Sequence, residues 1–151
     1  MSDARDLARG LCRGTTRLLA QQGFAALTEV RLANGRRADI LALGGAGEVR
    51  IVEIKASPAD FRADRKWHEY RDYCDRLYFA VAAGFDEALL PADCGLIRAD
   101  AWGAALLREA PLSPLSPPRR RALMLRFALL AGHRLNRFLD PEFNAAVELS
   151  S

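Results

Sequence analysis

The sequence predicts a mixed α/β domain in which helices pack on a central sheet. Three observations carry that expectation. Apolar, β-prone runs at residues 25–32, 36–43 and 48–56 are separated by Asn34-Gly35 and by Gly44-Gly45-Ala46-Gly47, the turn residues of a three-stranded meander. Helical patterns stand before and after the meander. Residues 77–83 (LYFAVAA) form a short apolar run, as a strand buried on both faces requires. With 151 residues the chain holds one domain with a real core.

Residues 3–22 are expected to form an amphipathic helix. Leu7, Leu11 and Leu18 share one face, while Arg5, Arg9, Arg13 and Arg17 recur at steps of four on the other. Gly23 suits the residue just past its end. The arginine stripe is either a solvated face or a track for a phosphate backbone. The Gly-rich turn at 44–47 is no phosphate loop, because no Lys-Ser/Thr follows and it opens a strand.

Ser57-Pro58-Ala59-Asp60 reads as a helix start, with Ser57 as N-cap, Pro58 at the first position and Asp60 reaching back as in a capping box. That helix is expected to run to about Cys74, with Ala59, Ala63, Trp67, Tyr70 and Cys74 on one face. Residues 95–98 form a further strand, and 104–108 either pair with it as a hairpin across 100–103 or turn helical. Residues 111–118 (PLSPLSPP) form a stiff linker. A basic helix over 119–139 follows, apolar on nearly all sides at 122–131, which suits packing against residues 1–110 or against a second chain. The organisation is thus 1–110, linker 111–118, and 119–151 folded onto the same domain.

Composition narrows the function classes. Lys plus Arg number 22 and Asp plus Glu 19, a net charge of +3 that suits a nucleic-acid partner without demanding one. Cys12, Cys74 and Cys94 are widely spaced, which disfavours a zinc site or a disulfide framework. The first residues lack a secretory apolar stretch and no run suits a bilayer span, so a cytoplasmic protein without a membrane partner is expected. Neither His68 nor His133 has metal-ligand spacing or a nucleophile beside it.

Only two of the basic residues are lysines, Lys55 and Lys66. Lysine is a compact charge on a flexible stem whose pKa shifts on burial, whereas arginine is a wide fork that stays charged. Strand alternation puts Glu53 and Lys55 on one face and sends Val52 and Ile54 into the core. On the preceding strand Arg37, Asp39 and Leu41 share a face, opposite Ala38, Ile40 and Ala42. The hairpin then sets Asp39 beside Glu53. Two adjacent carboxylates repel unless a cation joins them, and Mg²⁺ (or Mn²⁺) suits such a pair. A lysine two residues from the glutamate can orient a water or neutralise charge on a phosphate. These are the parts of a phosphodiester hydrolase; an exposed cross-strand acid–base pair is the other reading of the same residues. Lys66 lies at the edge of the 59–74 face near Tyr70, either as a phosphate contact or as a rim lysine. Arg62 and Arg65 lie on the exposed side, placed for backbone phosphates.

Asp39…Glu53-Ile54-Lys55 in an α-β-β-β-α-β setting resembles the PD-(D/E)xK nuclease superfamily. The longer run of Thr28-Glu29-Val30, Gly35 to Asp39, Val52 to Lys55, Asp60 to Trp67, Tyr70 and Cys74-Asp75 resembles the MmcB-type bacterial DNA repair proteins. Residues 95–100 and the arginine-rich terminal helix extend the likeness over nearly the whole chain. The resemblance implies a restriction-endonuclease-like core, a role in DNA repair, DNA as partner and metal-dependent endonuclease activity without a small-molecule cofactor. It maps the catalytic motif onto Asp39, Glu53 and Lys55, with metal ligands Asp39, Glu53 and the Ile54 carbonyl. Glu29 is the supplementary acid, and Lys66 and Tyr70 support the site. Ala38 stands where the superfamily motif has proline. Arg37, Arg62, Arg65, Arg119, Arg120 and Arg121 are the candidate DNA contacts.

Two rivals share these observations. A repair accessory that binds DNA without turnover predicts salt-dependent binding indifferent to Asp39→Asn and to chelator. A scaffold or homodimer built on the terminal helix predicts a dimer that is lost when 119–151 are removed, a difference sedimentation reads.

Overall fold

The computed structural model describes residues 3–143. Its elements run α1 (Ala4–Gln21), β1 (Phe24–Arg31), β2 (Arg37–Gly44), β3 (Val49–Ile54), α2 (Pro58–Ala63), a 3-10 helix (Trp67–Tyr73), β4 (Arg76–Val81), a 3-10 turn (Glu87–Leu89), β5 (Gly95–Ala99), β6 (Ala104–Arg108) and α3 (Pro117–Leu139). The strands form one sheet in chain order. β1, β2 and β3 are antiparallel neighbours, β3–β4 and β4–β5 are parallel, and β6 returns antiparallel to β5. The mixed α/β class, the meander and the terminal helix are as expected, and the hairpin reading of 104–108 holds over the helical one.

Both faces of the sheet are covered. Beneath α1, Leu11 and Leu19 pack on Ile40, Ala42, Val52, Ile54, Tyr78 and Ile97. On the opposite face Leu41, Val49, Ile51, Leu77 and Phe79 pack with Tyr70, Cys74, Leu115 and Leu123. Glu53 and Lys55, expected on an open face, are therefore 3% and 5% exposed.

α1 starts at Asp3, whose carboxylate accepts from Asp6 N at 2.9 Å, and stops at Gly23, which takes φ 84°. A glycine lets it approach the turn between β5 and β6. A Cβ on Gly14 would lie 2.0 Å from Asp100 O and 2.4 Å from Gly103 O. Leu7, expected on the same face as Leu11, is instead exposed.

The helix expected over 57–74 is broken. Ser57 Oγ accepts from Asp60 N at 3.1 Å as a cap should, and Asp60 reaches back to Ala56 N rather than to the N-cap amide. Asp64 then leaves the helix at φ −83°, ψ 107°. Its carboxylate accepts from Lys66 N at 2.8 Å, the local side-chain bond by which Asp competes with helix continuation. The chain resumes as 3-10 from Trp67, so Ala59 and Ala63 are exposed while Tyr70 and Cys74 are buried.

The proline-rich segment is pinned to the domain. Ser113 N donates to Asp75 O and Leu115 N to Asp75 Oδ1, both at 2.8 Å, and Leu115 is buried. α3 buries Leu123 and exposes Leu125, Leu129, Leu135 and Phe138. Among the described residues no helix is long and apolar enough to cross a membrane.

Candidate functional site

The β2–β3 ladder stops at Ile40–Val52. At the next pair the side chains take over. Asp39 Oδ2 accepts from Ile54 N at 2.8 Å, and Glu53 Oε2 accepts from Asp39 N at 2.9 Å. Each acid holds a backbone amide on the neighbouring strand, so the strands part without leaving those donors orphaned. The neighbouring strand is distorted at the same level. Glu29 takes φ 51°, a left-handed backbone that a non-glycine residue adopts at some energetic cost, and the β1–β2 ladder skips the Glu29–Asp39 pair.

The distortion changes which residues share a face. Ala38 packs with Leu41's cluster, whereas Ile40 and Ala42 pack under α1. The even alternation expected through 37–42 therefore fails at Asp39. Asp39 opens onto a groove of about 830 Å³ beside α1, whose other lining includes Ile54, Thr28 and Glu29. The remaining wall is α1 itself, including Arg5, Arg9, Arg13 and Arg17.

The two acids share an electrostatic problem. Burial, followed by the charge of Asp39, pushes the Glu53 carboxyl up to about 8. Burial also raises Asp39, against the opposing pull of the Ile54 amide and the Lys55 charge. Lys55 Nζ meets Asp64 Oδ2 at 2.6 Å, both side chains well covered. Burial tends to raise the Asp64 carboxyl, but Lys55 and the Lys66 amide outweigh it and hold it low. Asp64 is the site residue that sequence reasoning passed over. The clue available was an acid nine residues beyond Lys55, in a segment already expected to face the sheet.

The other expected residues divide. Tyr70 is buried and its hydroxyl donates to Arg37 O at 2.9 Å; burial and the charges of Glu53 and Asp39 raise its pKa, keeping it a donor. Glu29 lies on the groove wall, 4.0 Å from the Arg37 guanidinium. Lys66 reaches the cluster through its backbone amide, while its side chain is exposed. Arg62, Arg65 and Arg121 are exposed. Arg119 stacks 4.5 Å over Tyr73 and donates to Asp72 O. Arg120 is committed elsewhere: it grips Asp75 through both terminal nitrogens, at 2.6 and 2.8 Å. It serves the attachment of α3 rather than a ligand-facing surface.

Among the described residues no group of three or more His, Cys, Asp or Glu is placed to hold a metal ion. The donor set at the seam is two carboxylates, each with one oxygen outside the exchange bonds.

The MmcB-like family of DNA repair proteins matches residues 2–142. A solved structure of a protein of unknown function from Silicibacter pomeroyi is 42% identical and superimposes with a TM-score of 0.89, covering 93% of this chain and 97% of that one. Among curated proteins none matches the chain.

Proposed function

This chain belongs to the MmcB-like family of DNA repair proteins, and from that membership we propose that it is a metal-dependent DNA endonuclease whose centre is the Asp39–Glu53 seam. The observation that carries the reading is the seam itself. Two carboxylates are held side by side at a point where the strands part, and burial, with the Asp39 charge added to it, raises Glu53 to about 8. A hard divalent cation relieves their repulsion, and Mg²⁺ accepts a site of two carboxylates completed by water and a phosphate oxygen. Asp39 and Glu53 would hold it, with the Ile54 carbonyl as the third donor. When bound, Mg²⁺ or Mn²⁺ supplies Lewis acidity toward the scissile phosphate.

The remaining work falls to the chain's own groups. Lys55, fixed by Asp64, offers a positioned positive charge to the phosphate as negative charge develops on it. Tyr70 fixes the Arg37 carbonyl and with it the entry into β2. Glu29, on the groove wall, and its partner Arg37 set the local charge.

The test is cleavage of single-stranded, nicked and branched DNA with Mg²⁺ or Mn²⁺. Wild type is expected to cut, chelator to abolish cutting, and Asp39→Asn to slow it by about 10²–10³. Cutting that survives Asp39→Asn refutes the assignment.

One observation favours a second reading. Lys55 already has a carboxylate partner at 2.6 Å, and the described residues hold no three-ligand cluster. A DNA-binding accessory without turnover then accounts for the site. It predicts salt-sensitive binding without cleavage under any of these metals.

A further inference from the structure

We propose that the exposed face of α1 and the tip of the β5–β6 hairpin together form a path for a single strand of DNA leading into the Asp39 groove, an inference that rests on the DNA-directed reading above and specifies the strand engaged. Four arginines repeat at every fourth residue of α1, and Arg5, Arg9, Arg13 and Arg17 are all exposed. From Arg5 to Arg17 the row spans about 18 Å of helix. Each of the four also lines the groove that opens at Asp39. A polyanionic backbone is the ligand whose charge such a row complements.

The second observation is an aromatic one. Trp102 sits at the hairpin tip with 71% of its surface exposed. Indole is a large ring that is highly buried on average and offers a broad π-face where it is exposed. The turn that carries it is fixed. Asp100 Oδ1 accepts from Trp102 N at 2.7 Å and from Gly103 N at 2.9 Å, closing the turn. Arg17 donates to Trp102 O at 3.0 Å, and the Arg13 and Arg17 guanidiniums lie 5.0 and 5.9 Å from the ring centroid. The close contact at Gly14 fixes the same turn against α1.

Arg13 and Arg17 therefore touch both the groove and the tryptophan, which makes the two features one continuous surface. An exposed ring on a fixed turn beside a row of arginines is the chemistry that takes an unpaired base, since stacking on it needs the π-face that the neighbouring bases of a duplex cover. A duplex would meet the arginines but leave the ring idle.

The experiment is fluorescence anisotropy with labelled oligo(dT) and with a duplex of equal length, in chelator so that nothing is cut. Wild type, Trp102→Ala, Trp102→Phe and Arg9→Gln are compared. Trp102→Ala is expected to weaken single-strand binding about tenfold, to leave duplex binding within about twofold, and to be rescued largely by Trp102→Phe. Arg9→Gln is expected to weaken both ligands and to flatten the salt dependence. Equal loss on both ligands, or no loss with Trp102→Ala, overturns the proposal. Wild-type cleavage in Mg²⁺ separates the two readings: cutting without this binding pattern sinks the single-strand path alone, and the pattern without cutting sinks the endonuclease alone.

Discussion

Glu53 carries a pH dependence whose sign follows from its surroundings. Burial and the Asp39 charge hold its carboxyl near 8 in the folded chain against an ordinary 4.5. Between those values the folded chain keeps a proton that the unfolded chain has released. Stability from this group is therefore full below about 4.5, declines as pH rises, and is gone above about 8. Glu53→Gln keeps an acceptor for the Asp39 amide and removes the charge. Relative to wild type it is expected to gain about 2–4 kcal/mol on going from pH 5 to pH 8, read by urea unfolding at both. Parallel pH profiles for the two proteins would refute this. The lysine count and the spacing of Asp39, Glu53 and Lys55 were enough to pick these residues out. Their burial was not legible. Alternation names which face a side chain takes, and only the packing of the 3-10 helix and the Asp64 segment reveals that this face is covered.

At the scale of elements, the contact between α1 and the β5–β6 turn is the least forgiving. Two carbonyl oxygens occupy the place a Gly14 Cβ would need, and both belong to backbone. Gly14→Ala is expected to lose about 1–3 kcal/mol or more, although alanine is the better helix former. Thermal unfolding checks it, and an unchanged or raised midpoint would show that the turn yields freely. The sequence showed α1 and its arginines but not this glycine, because a close approach depends on a partner some 90 residues away. The helix over 57–74 was misread for a related reason. Ser57 and Pro58 announce a start correctly, but Asp64 ends the helix early by turning to its own chain's Lys66 amide and to Lys55. Periodicity has no means of seeing an ion pair that forms only once β3 is in place.

The molecule as a whole is closed by Asp75. This carboxylate is 2% exposed and accepts from Val49 N, Leu115 N and both Arg120 nitrogens, so it joins the sheet, the proline-rich segment and α3. Burial alone would raise its pKa, but Arg120 and the two amides hold it below the ordinary carboxylate value. Its contribution is present above about 3.8 and is lost as pH falls through the depressed value. Asp75→Asn is expected to cost about 3–5 kcal/mol and to open residues 111–118 to protease. Equal stability and unchanged cleavage at that segment would remove Asp75 from this role. The order of elements was legible along the chain, down to a terminal helix. What fastens that helix was hidden, since Arg120 reads from sequence as one more surface arginine among three.

The reciprocal bonds of Asp39 and Glu53 alter what their presence in a sequence can mean. Each side chain stitches a seam between strands before it does any chemistry, so removing either strips a backbone amide of its partner. Both acids are therefore kept by the needs of the sheet whether or not the chain cuts DNA. Lys55 and Asp64 lie off that seam and bond to each other. A buried ion pair replaced as a couple by apolar side chains is often no less stable. On the endonuclease reading, joint survival of the lysine and its aspartate across relatives is therefore the sharper mark of that activity, because the acid pair is also kept by the needs of the sheet.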